Sequence, residues 1–200
     1  MILSLHMVSI CVFGDSIGEG YYDSEKGGWV AQLSRFLHTP NEDLQIYNCS
    51  ISGQTTREVL ARFDAEIKAR GSKTIIFALG TNDSWYFDND KNKPNVSLDE
   101  FKENLKSLVL RSQELAAKTI FIGAPRVDES RVMPIPWRTE VFYDNDNIQR
   151  YNQAIKDICK EHRLRFIETF HLLEDQDLLD GLHPSTKGHT KLFEEIKKHF

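Results

Sequence analysis

Apolar residues along this chain of 200 residues recur in two patterns. The first is a short, nearly continuous run rich in β-branched side chains. Such runs occupy 8–13, 44–49, 74–79, 119–123 and, most weakly, 164–167. Continuous apolar character, rather than alternation, predicts strands of a parallel sheet covered on both faces. The second pattern has helical spacing. Trp29, Val30, Leu33, Phe36 and Leu37 form one such stripe, and Val59, Leu60, Phe63 and Ile67 another, with Thr55 or Thr56 as N-cap. Leu98, Phe101, Leu105, Leu108, Val109 and Leu115 make a longer stripe. It is opened by the capping-box spacing Ser97-x-x-Glu100. Ile148, Tyr151, Ile155 and Ile158 mark a fourth helix. Leu192, Phe193 and Ile196 mark a fifth, capped by Ser185 or Thr186.

Strands and helices therefore alternate. That order predicts a three-layer α/β/α domain around a five-stranded parallel sheet, spanning 1–200 as one unit. Five strands are too few for an eight-stranded barrel. Two connections are longer than the alternation needs, 84–95 and 126–147. Both follow the carboxyl end of an expected strand, where such sheets place their sites.

Composition narrows the function classes. Apolar residues at 40% and charged residues at 28% suit a soluble globular chain. A net charge of -5 leaves no basic footprint for nucleic acid or an anionic membrane. Cys11, Cys49 and Cys159 lie far apart and form no CxxC pair, so neither a zinc cage nor a disulfide framework is expected. The first six residues are too short for a signal peptide, and no run reaches membrane-span length, so the expected compartment is the cytoplasm.

Four short segments fall at expected strand ends or just before a helix. They are Gly14-Asp15-Ser16, Ser52-Gly53-Gln54, Gly80-Thr81-Asn82-Asp83 and Asp180-Gly181-Leu182-His183. Acyl transfer from an ester needs a nucleophile, a base, a group that orients the base, and donors for the developing oxyanion. Ser16 has the chemistry of the first, His183 of the second and Asp180 of the third. Gly53 offers an unobstructed backbone N–H, Asn82 offers amide donors, and the N–H of Ser16 completes the set. Taken singly, each segment is equally a turn, because Gly, Asp, Asn and Ser are ordinary turn formers.

Together the four segments resemble the SGNH (GDSL-type) hydrolase family. The nucleophile block Gly14-Asp15-Ser16-Ile17, then Gly53, then Gly80-Thr81-Asn82-Asp83, then Asp180-Gly181-Leu182-His183 follow that family's order across nearly the whole chain. Ile17 stands where the family name has Leu. The resemblance implies a flavodoxin-like three-layer fold and a lipase, esterase or acylhydrolase activity without a cofactor. It assigns Ser16, Asp180 and His183 as the triad, and Ser16, Gly53 and Asn82 as the oxyanion hole. It leaves Asp15 structural. The partner it implies is a small-molecule ester, with short-chain esters, thioesters, lysolipids and acetylated sugars all open. Gly14-x-Ser16-x-Gly18 also fits the nucleophile elbow of α/β-hydrolases, but only one strand precedes Ser16 here, whereas several precede it there.

Other readings carry less weight. A non-catalytic module holding an acylated or carbohydrate ligand would not need all four blocks. A phosphate or nucleotide site in the first loop is disfavoured by Asp15 and Glu19. A metal held by Asp180, His183 and His189 lacks the usual ligand clusters. His6, His38, His162, His171, His189 and His199 read as surface or packing residues. The aromatic residues of the long connections divide between packing and pocket lining. Trp85, Tyr86, Trp137 and Tyr143 are the candidates to face substrate.

Overall fold

The computed structural model describes residues 8–38, 44–115 and 117–200; His6 lies outside them. Its strands are β1 (Val8–Gly14), β2 (Leu44–Asn48), β3 (Thr74–Ala78), β4 (Tyr86–Phe87), β5 (Lys118–Ile122), β6 (Val141–Phe142) and β7 (Arg165–Ile167). The helices are α1 (Ser16–Glu19), α2 (Gly28–Leu37), α3 (Thr56–Arg70), α4 (Thr81–Ser84), α5 (Leu98–Glu114), α6 (Glu129–Val132), α7 (Asn145–His162) and α8 (Thr186–Ile196). Each of the five apolar runs forms a strand. The short elements α1, α4, α6, β4 and β6 carry no periodic signal of their own.

Five strands form one parallel sheet in the order β2-β1-β3-β5-β7. This is the doubly wound order, with the switch point between β1 and β3. Alternate side chains of each strand feed two cores. Phe13, Phe77 and Phe121 face Phe63, Phe101 and Ile155 on the side of α3, α5 and α7. Ile10, Val12, Ile76 and Ile120 face Trp29, Leu33, Leu192 and Ile196 on the side of α2 and α8. Burial on both faces explains why the runs read as continuous rather than alternating. Phe13, Phe77 and Phe121 are paired in register across three strands. Their rings stack at 5.8 and 5.0 Å, so an aromatic ladder fixes that register.

The caps follow the sequence with one exception. Thr55 caps α3 with a complete capping box to Glu58, and Ser185 caps α8 by accepting from the Gly188 N–H at 3.2 Å. Ser97 caps α5, but only half of its expected box forms. The Glu100 carboxylate turns instead to the Arg57 guanidinium on α3. A charge-assisted bidentate pair outcompetes a single neutral N–H.

The two long connections pair with each other. β4 and β6 form a small antiparallel sheet, Tyr86 opposite Phe142 and Phe87 opposite Val141. Beside it lies a third core of Trp85, Val127, Val132, Ile135, Val141, Tyr143, Ile148, Phe170 and Leu182. No helix among the described residues is long and apolar enough to cross a membrane.

Candidate active site

β1 delivers Ser16 to the carboxyl edge of the sheet. Asp15 caps α1, its Oδ1 accepting the Ile17 N–H at 2.9 Å, which leaves Ser16 as the first helical residue. An N–H in that position has no partner within the helix. Close packing dictates Gly14: a Cβ there would stand 2.8 Å from Ser50 Oγ and 3.2 Å from the Ala78 carbonyl oxygen.

Ile51 to Gln54 form a turn closed by the Gln54 N–H on the Ile51 carbonyl at 3.2 Å. Gly53 occupies its third position at φ 80°, a left-handed conformation that glycine takes without a Cβ penalty. The turn is tied to α1, because the Glu19 carboxylate accepts from the Ser52 N–H at 2.9 Å and its hydroxyl at 2.6 Å.

Asn82 rides on α4 directly after β3. Its Nδ2 donates to the Gln54 carbonyl at 3.1 Å, and its Oδ1 accepts from the Tyr143 hydroxyl at 3.1 Å. The next residue, Asp83, turns away from this edge into the protein. It is fully buried and accepts from the Thr56 hydroxyl at 2.6 Å and the Thr56 N–H at 3.0 Å, which ties α4 to the start of α3.

His183 lies on the loop before α8. Its Nε2 is 2.9 Å from Ser16 Oγ, and its Nδ1 is 2.7 Å from Asp180 Oδ2. The other carboxylate oxygen, Oδ1, accepts the N–H groups of Leu182 at 2.9 Å and His183 at 2.8 Å. Burial pushes the Asp180 carboxyl up, but the His183 ring and these backbone donors outweigh it and hold it below the ordinary value. The acid is thus ionised, fully bonded and fixed against Nδ1. The buried acids Asp15 and Asp83 behave differently. Burial raises Asp15 to about 6 against its hydrogen bonds, and raises Asp83 to about 7 against those from Thr56.

These two raised values predict a pH effect on stability. Their folded values lie above the unfolded ones, so their contribution is full below about pH 4 and is lost as pH rises through the folded values. Asp83→Asn removes one of the two titrations. Between about pH 4 and 7 the native protein should lose stability relative to this variant, by up to about 1.4 kcal/mol per pH unit. Urea midpoints of both proteins across that range check it. A difference that is constant with pH would show that Asp83 does not titrate there.

Ser16, Gly53, Asn82, Asp180 and His183 all line one cavity of about 510 Å³. Trp85, Trp137 and Tyr143 line it too, whereas Tyr86 does not. Neighbours along a strand point to opposite faces. Trp85 stands just before β4 with extended backbone (φ -70°, ψ 160°), so the same alternation turns it to the cavity while the Tyr86 ring is fully buried and stacked on Phe142 at 6.1 Å. Tyr86 is corrected from substrate-facing to packing.

Two aromatic lining residues were not among the sequence candidates. Tyr21 and Tyr22 are 46% and 50% exposed, and Trp137 is 55% exposed, yet all three rings surround the His183 imidazole. Their centroids lie 4.9, 5.6 and 6.1 Å from it. Tyr22 is held at φ 65°, an unfavourable conformation for a bulky residue, and Tyr21 is anchored through its carbonyl to the buried His189 at 3.2 Å. The available signal was two adjacent aromatics just after the nucleophile loop.

Comparison with known proteins gives a consistent result. The model of a GDSL-like lipase/acylhydrolase family matches residues 12–191. A GDSL esterase/lipase, CPRD49, of Arabidopsis thaliana is 29% identical over 190 residues, covering 90% of this chain and 73% of that protein. An acetylxylan esterase of Geobacillus stearothermophilus is 28% identical over 184 residues, covering 86% and 80%. The solved structure of Axe2, an acetylxylan esterase from Geobacillus stearothermophilus, superposes with a TM-score of 0.74 at 26% identity, covering 96% of this chain and 93% of that one. A lipase/acylhydrolase from Enterococcus faecalis shares the fold with a TM-score of 0.78 at 24% identity, covering 96% and 95%.

Proposed function

We propose that in this chain, which belongs to the GDSL-like lipase/acylhydrolase family and is a serine ester hydrolase, Ser16, His183 and Asp180 perform the chemistry on esters whose alcohol is a sugar hydroxyl. The observation that carries this reading is the Ser16–His183–Asp180 relay ringed by three exposed aromatic side chains.

Ser16 Oγ attacks the ester carbonyl while His183 Nε2 takes its proton. The carbonyl π electrons move onto oxygen, where the N–H groups of Ser16 and Gly53 and an Asn82 amide hydrogen receive them. The intermediate collapses, the bond to the alcohol oxygen breaks, and His183 returns the proton to that oxygen. Water, deprotonated by His183, then attacks the acyl-enzyme; the acid departs and Ser16 regains its proton. Asp180 holds the Nδ1–H tautomer and stabilises the imidazolium throughout.

The alcohol must leave on the side of His183, because His183 protonates it. Tyr21, Tyr22 and Trp137 stand around that ring and remain open to solvent. Flat apolar surfaces with few charges suit the C–H faces of a sugar ring. The acetylxylan esterase among the relatives supports the same class.

Trp137→Ala tests it. KM for an acetylated xylo-oligosaccharide should rise about 10-fold, the loss of roughly 1.4 kcal/mol of ring contact, while kcat/KM for vinyl acetate stays within about two-fold. Equal losses on both esters, together with a lower Tm, would mean that Trp137 only packs.

A further inference from the structure

We infer that Tyr143 is a positioning residue of the oxyanion hole, acting on the reaction through Asn82 rather than by touching substrate. This rests on the reading of Asn82 as an oxyanion donor. Asn82 can serve only if its amide nitrogen, not its oxygen, faces the developing charge. An amide side chain has nearly equal bulk in both orientations, so hydrogen-bond partners must decide between them.

One partner decides here, and a second holds the chosen orientation, since a hydroxyl can donate or accept. The Gln54 carbonyl can only accept, and it lies 3.1 Å from Nδ2. The Tyr143 hydroxyl donates to Oδ1 at 3.1 Å. In the flipped orientation Oδ1 would face the Gln54 carbonyl oxygen, two acceptors in contact in a buried site. Nδ2 has two hydrogens, and the Gln54 bond uses one. The second remains for the cavity that Asn82 lines with Ser16 and Gly53. Donation into Oδ1 also polarises the amide and strengthens that second hydrogen as a donor.

The small sheet holds Tyr143 in place. Phe142 pairs with Tyr86, and the Tyr143 N–H donates to the Val132 carbonyl at 3.1 Å. The residues before β4 carry Asn82, and the residue after β6 is Tyr143, so pairing the two strands brings the hydroxyl to the amide. Burial, with the nearby Asp15 and Asp180 charges, raises the phenol well above its ordinary value. It stays a donor across the working pH range.

Steady-state kinetics on p-nitrophenyl acetate test this. Asn82→Ala should lower kcat about 100- to 1,000-fold, as loss of one oxyanion donor does. Tyr143→Phe should lower kcat about 10- to 100-fold with KM within about two-fold, since substrate binding in the ground state does not use the hole. The double variant should be no slower than Asn82→Ala by more than about two-fold, because the hydroxyl then has nothing to orient. 3-Fluorotyrosine introduced at position 143 keeps the hydroxyl and the ring shape, and should hold kcat near the native value. Native kcat in Tyr143→Phe overturns the inference. So do losses that multiply in the double variant, and a fluorotyrosine enzyme as slow as an enzyme without the hydroxyl. If Tyr143→Phe does not fold, the fluorotyrosine protein decides: a kcat more than about tenfold below native overturns the inference, and a kcat near native supports it. Native kcat in Asn82→Ala instead removes the reading of Asn82 itself, an outcome distinct from failure of the positioning role alone.

Discussion

Ser16→Ala should remain folded and turn over an activated short-chain ester at least about 10⁴-fold more slowly than the native chain. In the proposed mechanism the hydroxyl is the nucleophile and His183 its base, and Oγ lies 2.9 Å from His183 Nε2. Without it no acyl-enzyme forms, and what remains is attack by water in a site that still offers oxyanion donors. Little else depends on the hydroxyl. The Asp15 cap, the Glu19 ties and the packing of Gly14 against Ser50 and Ala78 do not use Oγ. The Tm should therefore move by only a few degrees, the size expected for about 1 kcal/mol. A fluorophosphonate should label the native protein and fail on this variant. Full activity in Ser16→Ala would end the proposed mechanism. A native protein that never labels would favour a ligand-holding role for the same cavity.

Asp180→Asn carries the second large effect, about 10⁴-fold in kcat. The carboxylate has two distinct jobs here. Oδ1 accepts two backbone N–H groups and shapes the loop; Oδ2 faces the imidazole at 2.7 Å. An asparagine keeps the loop by leaving its oxygen on the backbone donors. That places the amide NH₂ against Nδ1, which must then be an acceptor. The proton moves to Nε2, where it blocks transfer from Ser16 Oγ. The opposite amide orientation sets NH₂ against two N–H groups and costs the loop its bonds. Stability should thus change modestly while turnover collapses. Measuring kcat and Tm together separates the two jobs. Near-native kcat in this variant would show that the tautomer is set by something other than Asp180.

The parts of the site legible in the chain were those whose chemistry needs particular residue types at strand ends. Ser16, Gly53, Asn82, Asp180 and His183 stood out as candidates because nucleophile, donor, acid and base are chemically distinct, and because alternating runs place their segments on one edge. The aromatic residues were not separable in that way. Trp85, Tyr86 and Tyr143 look alike in sequence, but Trp85 and Tyr143 line the cavity, Tyr143 also grips an amide, and Tyr86 is sealed in packing. Their fates follow from how the chain enters β4 and leaves β6 once the two strands pair, and neither two-residue strand carries a period. Tyr21 and Tyr22 were passed over for a similar reason: only the return of the last loop to β1 sets His183 beside them.

The sequence by itself determined the layer order, the five strands of the sheet and which groups were candidates to react. Apolar runs and residue chemistry are local properties, and they survive without neighbours. The tertiary structure alone decided which amide atom of Asn82 faces the cavity, which half of the Ser97 capping box was given up to Arg57, and which rings surround His183. Each of these is a competition between groups far apart in the chain, and the winner depends on distances that only the folded backbone supplies.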